Sequence, residues 1–486
     1  MASDTTVKVP ELEQGIETRG IERVSPKARA HVRILDNFTM WLAANLVIST
    51  VALGTLPTFF GLGFWDSFLV IVIFNALGVL PVAFFSTLGP RLGLRQMTIS
   101  RFSFGWVGAI ITSIFNVGAC IGWSAVNVIV GAQLITALSN GTIPLWASIL
   151  IIAILTTLVS IYGYKYVHYY ERWAWIPMAV MFLIIAVLAL PHFTAVATKN
   201  AGVAEIAALI TFGGAIYGFA TGWSSYAADY NVNQPENTSV VRVFWLTFLG
   251  VFIPCFLLET LGLILVTAAV PAWASAFNSG SVGGLLSAVV DPLGGIGKLI
   301  LALIALSIVA NNIPNDYSLG LSVQVFGKTF QRVPRYVWTL IGAVIYVIIA
   351  IQGGGNFSAT LDSFLLIIAY WLGPWGIVLI AEHFFFRKGK YNVEDWNTPS
   401  RLPLGWAAIV ALAFGLFGVF LGASQEVWTG PVAKLLAGTD VGFELGLIFA
   451  FIVYLILRPI EIRNSSPERM GTGSEMVEAE PVASEK

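Results

Sequence analysis

Residues 299–325 read LILALIALSIVANNIPNDYSLGLSVQV. The stretch begins as an apolar run long enough to cross a bilayer, and its second half carries Asn311, Asn315 and Asp316 around Pro314. Polar groups at membrane depth are costly unless they face other helices or a wet cavity. The missing N–H of Pro314 also removes one helical hydrogen bond. The stretch therefore predicts an interrupted membrane helix at a site for a small polar solute, or alternatively a packing kink whose amides cap neighbouring helices.

The composition of the whole chain indicates a polytopic helical membrane protein. Of 486 residues, 57% are hydrophobic and 11% are charged, and the mean hydropathy is +0.81. A soluble protein of this size carries about a quarter charged residues. The net charge of -1 argues against a nucleic-acid partner. Cys120 and Cys255 both lie in apolar runs and predict neither a disulfide framework nor a metal site.

Twelve apolar runs have the length of membrane spans. We number them spans 1 to 12, and they lie near residues 39–61, 66–87, 106–135, 144–162, 173–191, 207–227, 243–267, 299–325, 336–351, 361–385, 404–423 and 440–457. With both termini in the cytoplasm, 23 of the 26 Lys and Arg residues fall on the inner side, as the positive-inside rule requires. We expect a cytoplasmic segment at 1–38, a transporter domain at 39–458 and a disordered cytoplasmic tail at 459–486.

Span 3 is the most informative single helix. Residues 102–164 contain no charged residue, yet Asn116, Trp123 and Asn127 recur at helical spacing. Trp123 and Asn127 lie about 6 Å apart along the axis and point the same way. An indole beside an amide suits a flat heteroaromatic ring, because one stacks on its face and the other reads its edge. The alternative, a tryptophan of the interfacial belt, does not fit a position deep inside a long span.

Spans 1 and 6 carry weaker signals of irregular helices. Ser49 of span 1 is followed by Gly54 and Pro57, which can loosen a helix. Span 6 has glycines four residues apart and then Trp223 in the run GWSSY. Such glycines mean close helix packing, and here they also suit a helix that breaks to expose backbone groups.

Few carboxylates fall within or beside the spans. Glu259 lies in span 7, and Glu171 precedes span 5. An ionisable group within a span is a candidate proton relay. Glu171 has the alternative of pairing with Arg172 or Lys165 at the membrane surface.

Six stretches of the chain are distinctive in combination: DNFTMWLAANL, RLGLRQMTISRFSFG, IGWSAVNVIVG, GWSSYAADYNVNQPENT, IVANNIPNDYS and YNVEDW. Together they resemble the fungal purine–cytosine permease branch of the nucleobase–cation symporter family. The resemblance implies an all-α membrane protein of twelve helices with a leucine-transporter-like fold. In that fold spans 1–5 and 6–10 form two inverted five-helix repeats, two C-terminal helices follow, and substrate lies between spans 1, 3, 6 and 8.

The same resemblance implies a set of site residues and an activity. By position the implied substrate-binding residues are Ser49, Trp123, Asn127, Trp223, Asn311 and Pro314. Glu171 matches an acidic residue of that branch and is implied in proton coupling or gating. Where sodium-coupled bacterial relatives have adjacent hydroxyls in span 8, this chain has Ala305, Leu306 and Ser307. The single hydroxyl favours proton coupling over sodium.

We therefore expect a plasma-membrane proton symporter that imports cytosine, adenine, guanine and hypoxanthine, with no cofactor and no metal. Another heterocycle remains open as the substrate, such as vitamin B6, thiamine, uracil or allantoin. A receptor without net transport would usually carry a larger cytoplasmic signalling domain than this tail. An enzyme would need a reactive constellation, which the sequence does not show.

Overall fold

The computed structural model describes residues 20–29, 33–161, 164–466, 469 and 477–478, and for 164–172, 174, 310, 356 and 477–478 it describes the backbone path alone. Nearly all of this part of the chain is helical. The two short antiparallel strand pairs join Lys390–Tyr391 to Val477–Glu478 and Ser424–Gln425 to Trp428–Thr429.

Within the described residues, the predicted spans each correspond to an observed helix or broken helix. Nine helices are long and apolar enough to cross a membrane, one further span is a bent pair, and two apolar helices are shorter. In order they are Asp36–Asn45 with Ile48–Leu53, Phe64–Leu92, Arg101–Leu138, Leu145–Ile161, Tyr164–Ala189, Val203–Thr221, Val240–Thr267, Gly295–Gln324, Arg335–Gly353, Phe357–Ala381, Trp406–Gly422 and Gly442–Asn464. These twelve segments are consistent with the predicted number.

One long helix was not predicted. Pro271–Val290 lies between spans 7 and 8 and packs against span 3. The sequence does not predict this helix as a span, because its centre is rich in glycine and serine rather than apolar residues. The helix bends at Gly280 and at Ser281, whose φ is 51°. The remaining short helices are Gln96–Ile99, Lys328–Gln331 and Pro431–Leu435.

Spans 1 and 6, the first spans of the two predicted repeats, are both broken near the middle of the protein. In span 1 the helix stops at Asn45, Val47 takes an extended conformation, and the second half departs at 57° from the first. In span 6 the α-helix ends at Thr221 and continues as a tight 3₁₀ segment, Gly222–Tyr230. The breaks place backbone polar groups inside the bundle, as expected of helices that line a binding site.

The predicted interruption of span 8 is wrong. Gly295–Gln324 is one continuous helix with Pro314 inside it. A proline can be carried in a membrane helix where neighbouring side chains take over the freed backbone groups. The hydroxyl of Tyr230 donates to the Pro314 carbonyl at 2.9 Å, so span 8 is held by span 6 at this point.

The ends of the chain show one difference from the expected domain limits. The last helix continues to Asn464, six residues beyond the predicted boundary at 458, and Glu461 is buried. The predictions for 1–19 and for most of the tail concern residues outside the described part. Residues 20–29 lie against the end of span 2, where the Val24 amide donates to the Gly93 carbonyl at 2.9 Å. We call this the inner end of the bundle.

A buried charged cluster joins span 12 to span 10 at the inner end. The Arg458 guanidinium donates from Nε to Glu382 Oε2 at 2.9 Å and from a terminal nitrogen to Oε1 at 2.5 Å. Arg387 lies 2.9 Å from the same carboxylate, and Tyr454 donates its hydroxyl to it at 2.8 Å. Arg458 also pairs with Glu461, whose other oxygen accepts from the Gly405 amide at 2.6 Å. Each buried charge therefore has its partners, as it must.

Glu382→Gln should destabilise the protein strongly, because it leaves two buried guanidinium groups without their shared counter-ion. Removal of one partner from a buried pair costs about 3–5 kcal/mol. The measurement is the thermal unfolding midpoint in detergent. The matched control is Glu394→Gln, whose exposed carboxylate pairs with Arg23 and should contribute only about 0–1 kcal/mol. Equal midpoints for the two variants would contradict the structural role of the cluster.

Candidate functional site

A small cavity lies where the break of span 6 faces spans 3 and 8. Its volume is about 10 Å³, close to the space that one water molecule needs, so the helices are closed tightly around it. The lining residues are mostly aromatic, with two amides: Trp123, Phe219, Gly222, Trp223, Tyr226, Asn311 and Asn315. Apolar walls with a few polar groups are typical of a site for a small, flat, uncharged molecule.

Two tryptophans from different spans form part of the cavity wall. The Trp123 ring lies edge-on to Phe364 and Phe219, with centroids 4.9 and 5.5 Å away. A Cβ at Gly222 would lie 2.9 Å from this ring, so only glycine lets the break of span 6 come so close. The indole N–H of Trp123 is buried without a hydrogen-bond partner among the described residues. It is therefore available to a bound molecule.

Asn127 is the centre of a hydrogen-bond network that joins spans 1, 3 and 8. Its Oδ1 accepts from the Ser49 hydroxyl at 2.7 Å. Its Nδ2 donates to the Oδ1 atoms of Asn311 and of Asn312, the latter at 2.8 Å. A carboxamide has two N–H donors and two acceptor lone pairs. Both donors of Asn127 and one of its lone pairs are therefore used in hydrogen bonds within the protein. The structure thus brings Ser49, Asn127 and Asn311 together but leaves Asn127 behind the cavity wall.

Asn311 keeps part of its capacity free at the cavity. Its Oδ1 accepts once, from Asn127, and its Nδ2 donates once, to the Ala44 carbonyl at 2.6 Å. One N–H and one lone pair remain. Asn315, one turn further, likewise accepts from the Tyr226 hydroxyl at 2.6 Å and donates to the Asn311 carbonyl at 3.3 Å. Together these amides can offer donors and acceptors to the edge of a ring.

Asn45 is a site residue that the sequence analysis missed as such. It ends the first half of span 1, and its Oδ1 accepts from the Trp223 indole N–H at 3.0 Å and from the Cys255 thiol at 3.5 Å. Its own carbonyl accepts from the Thr50 hydroxyl at 2.7 Å. Asn45 thereby fixes Trp223 against the break of span 1. The residue lies one helical turn before Ser49 in the sequence, but the break could not be located at this residue from spacing alone.

A second polar layer closes the protein between the cavity and the inner end. The Asp229 carboxylate accepts from the backbone N–H of Gln96 at 2.7 Å and from the Ser318 hydroxyl at 3.1 Å. Arg95 donates to the Asp229 carbonyl at 2.5 Å and to the Tyr317 hydroxyl at 2.9 Å. These contacts tie span 6 to span 8 and to the segment between spans 2 and 3. A molecule in the cavity would have to separate them to leave towards the inner end.

The two remaining implied site residues are not placed at the cavity. Pro314 does not line it, and its carbonyl is bonded to Tyr230 as described above. Glu171 lies on span 5, but its side chain falls outside the described residues, so its implied role stays a prediction. The described part of the chain also gathers no three His, Cys, Asp or Glu side chains that could hold a metal ion.

Comparison with known proteins places the chain in a family. Residues 24–446 match the model described as a permease for cytosine/purines, uracil, thiamine and allantoin. The chain is 46% identical over 459 residues to the purine-cytosine permease fcyB of Emericella nidulans, covering 93% of this chain and 90% of that one. It is 40% identical to the Saccharomyces cerevisiae purine-cytosine permease FCY21, over 92% and 87% of the two chains. The S. cerevisiae vitamin B6 transporter TPN1 is 30% identical over 92% and 88%.

Solved structures show the same fold. Mhp1, a nucleobase-cation-symport-1 family transporter in a closed conformation with bromovinylhydantoin bound, aligns with a TM-score of 0.72 at 17% identity, over 93% of this chain and 97% of that chain. The inward-facing conformation of Mhp1 aligns with a TM-score of 0.67. The predicted all-α, leucine-transporter-like fold is thereby confirmed, and the protein is a multi-pass transporter and not an enzyme. The chain belongs to the family of permeases for cytosine/purines, uracil, thiamine and allantoin, in its fungal purine–cytosine branch.

Proposed function

We propose that this protein is a proton-coupled symporter that imports cytosine and purines such as adenine, guanine and hypoxanthine across the plasma membrane, with both termini in the cytoplasm. The observation that carries the proposal is the cavity at the break of span 6, which Trp123 and Trp223 line together with Asn311 and Asn315. The 46% and 40% identity to purine-cytosine permeases supports the same substrate class. The charge asymmetry along the chain supports the orientation.

The residues divide into two roles in this proposal. Trp123 and Trp223 hold the ring of the base, since flat heterocycles stack well on indoles. The free donor and acceptor of Asn311 pair with adjacent acceptor and donor groups on the edge of the base. Asn127 does not contact the base in this arrangement. It orients Asn311 instead, and Ser49 orients Asn127 across the break of span 1.

Uptake should depend on protons and be specific for nucleobases. Initial uptake of labelled cytosine should collapse with a protonophore and be unaffected when choline replaces sodium, because the Ala305, Leu306, Ser307 stretch of span 8 offers a single hydroxyl for a cation. Unlabelled adenine, guanine and hypoxanthine should compete, while pyridoxine, thiamine, uracil and allantoin should not.

The three possible negative results of this uptake assay contradict different parts of the proposal. Strict sodium dependence would refute proton coupling but leave the substrate intact. Competition by pyridoxine, with none by purines, would indicate a substrate like that of the vitamin B6 transporter TPN1. Binding of cytosine without accumulation would indicate a receptor.

Asn127→Ala should reach the membrane at near-normal levels and lose high-affinity uptake. Removing its amide leaves the Oδ1 atoms of Asn311 and Asn312 without a donor, and a buried polar group left unpaired costs about 1–3 kcal/mol. That corresponds to a loss of about 10- to 100-fold in affinity. Asn127→Asp keeps the acceptor for Ser49 but places a carboxylate against those oxygens, so it should be impaired at least as strongly. Cytosine uptake and surface abundance are measured together.

Ser49→Ala is the matched variant for this network. It removes a single bond, the one from the hydroxyl to Asn127, so its effect should be smaller than that of Asn127→Ala, and the double variant should be no worse than Asn127→Ala alone. Additive losses would show that Ser49 acts separately. Normal affinity in a well-expressed Asn127→Ala variant would remove Asn127 from the site.

A further inference from the structure

Glu259 is a fully buried carboxylate in the middle of span 7. It lies eight residues, about 12 Å, from the end of the helix at Thr267. Its Oε2 accepts from the Asn75 amide of span 2 at 2.5 Å. Its Oε1 has no hydrogen-bond partner in the part of the chain that the structure describes. Glu259 therefore has one neutral donor where a carboxylate normally requires several.

Among the residues that the structure describes, none is a counter-ion for this group. The described Lys, Arg and His residues form no ion pair with Glu259, in contrast to Glu382 with its two arginines. Span 1 is uncharged from Asn37 to Trp65, as is the helix Pro271–Val290. Span 2 carries Asp66 and Arg91 near its ends, span 5 carries Lys165, His168, Glu171 and Arg172 near its start, span 6 carries Glu205 near its start, and span 7 itself carries Arg242 and Cys255. Since an unpaired charge in such surroundings is costly, the packing shown here favours the neutral carboxylic acid.

Glu259 is linked to the substrate cavity through one helical turn. Cys255 lies four residues earlier on the same face of span 7 and donates its thiol to Asn45. Asn45 accepts at the same oxygen from Trp223, which lines the cavity. Span 7 is thereby connected to the break of span 1 and to one wall of the cavity.

The second half of span 1 covers Glu259 by close backbone packing. A Cβ at Gly54 would overlap the carbonyl oxygen of Glu259, and a Cβ at Gly262 would overlap that of Val51. Helices in such contact leave no room for water between them. This contact closes one side of span 7 at Glu259, and span 2, which holds the carboxyl through Asn75, closes another.

We propose that Glu259 is the group that carries the coupled proton, an inference that rests on the proposed proton symport. The carboxylate takes a proton from the outer solution while the second half of span 1 stands away from span 7. The resulting neutral acid permits these helices to close around a bound base. The proton is released on the inner side when the helices separate again, so one proton moves with each base and no other reactant is needed.

Asp316 and Glu171 are the competing carriers. Asp316 of span 8 is buried, accepts from the Ser124 hydroxyl at 3.1 Å and has its second oxygen without a partner among the described residues. It differs from Glu259 because Arg335 lies close by, stacked over the neighbouring Tyr317 ring at 4.4 Å. A nearby guanidinium favours the charged carboxylate and therefore opposes a cycle of protonation. Glu171 lies at the start of its helix, in a run of charged and aromatic residues.

The test uses the full chain reconstituted in vesicles with the membrane potential clamped at zero. With an inwardly directed gradient of about one pH unit, one proton per base lets the wild type accumulate labelled cytosine about tenfold. Glu259→Gln mimics the neutral acid. It should still exchange labelled for unlabelled cytosine at a rate close to that of the wild type, but its accumulation ratio should fall to about one. Glu394→Gln, an exposed carboxylate of the inner end, should accumulate like the wild type.

The outcomes separate this inference from the proposed function. If the wild type itself does not accumulate cytosine on a proton gradient, proton symport is refuted. If the wild type accumulates and Glu259→Gln does so equally, Glu259 is not the carrier, and Asp316→Asn and Glu171→Gln measured in the same way identify which rival is. If Glu259→Gln fails to reach the membrane, Glu259→Asp decides. It should accumulate cytosine with a displaced dependence of uptake on outer pH, and an unchanged dependence would overturn the proposal.

Discussion

Spans 1 and 6 stop being α-helical in the interior of the bundle, and the backbone groups freed there must be satisfied by the protein itself. A bilayer provides no water for these groups, and each one left unpaired costs several kcal/mol. The last carbonyls of the first half of span 1 show how this is done. Ala44 accepts from Asn311 of span 8, and Asn45 accepts from Thr50 beyond the break. The break is therefore stabilised by an amide of span 8 and by a hydroxyl of span 1 itself, and the cavity forms where amides of span 8 and aromatic residues of spans 3 and 6 meet.

This constraint also explains why the site is built from neutral amides in a region without charge. A Lys or Glu would satisfy a carbonyl or an amide equally well but would need a counter-ion in the same apolar space. Asparagine provides donors and acceptors without that requirement. The paired Glu382 and Arg458 lie at the inner end of the bundle instead, and Asp229, near Arg95, lies between that end and the cavity. Glu259 departs from this division, which is why its single amide partner is informative.

The spans and several site residues could be predicted because they depend on local rules. Apolar length and charge asymmetry located the spans, and the helical spacing of Trp123 and Asn127 placed both side chains on one face of span 3. The break of span 1 at Asn45 could not be predicted, because the residues that bond to it lie far away in the sequence, at Asn311 and Trp223. For the same reason Pro314 was misleading. A proline removes one helical hydrogen bond, but the helix here continues through Pro314, whose own carbonyl accepts from the Tyr230 hydroxyl of span 6.

Asn127 and Asn311 differ in how many of their hydrogen-bonding groups are occupied by the protein itself, and this difference bears on selectivity. Because Asn127 has used both donors and one lone pair within the protein, its orientation does not depend on what occupies the cavity. Asn311 is held by Asn127 and Ala44 at one donor and one acceptor, and its other donor and acceptor need a partner. A ring that presents an adjacent acceptor and donor satisfies the free donor and the free acceptor of Asn311. A ring of equal size without them leaves these two polar groups unpaired in an apolar cavity. A site that hydrogen-bonds its ligand rejects an analogue lacking those groups far more strongly than an apolar site rejects a difference of one methyl group. Under the proposed function, the cavity would therefore discriminate by the hydrogen-bonding edge of the ring more than by its size.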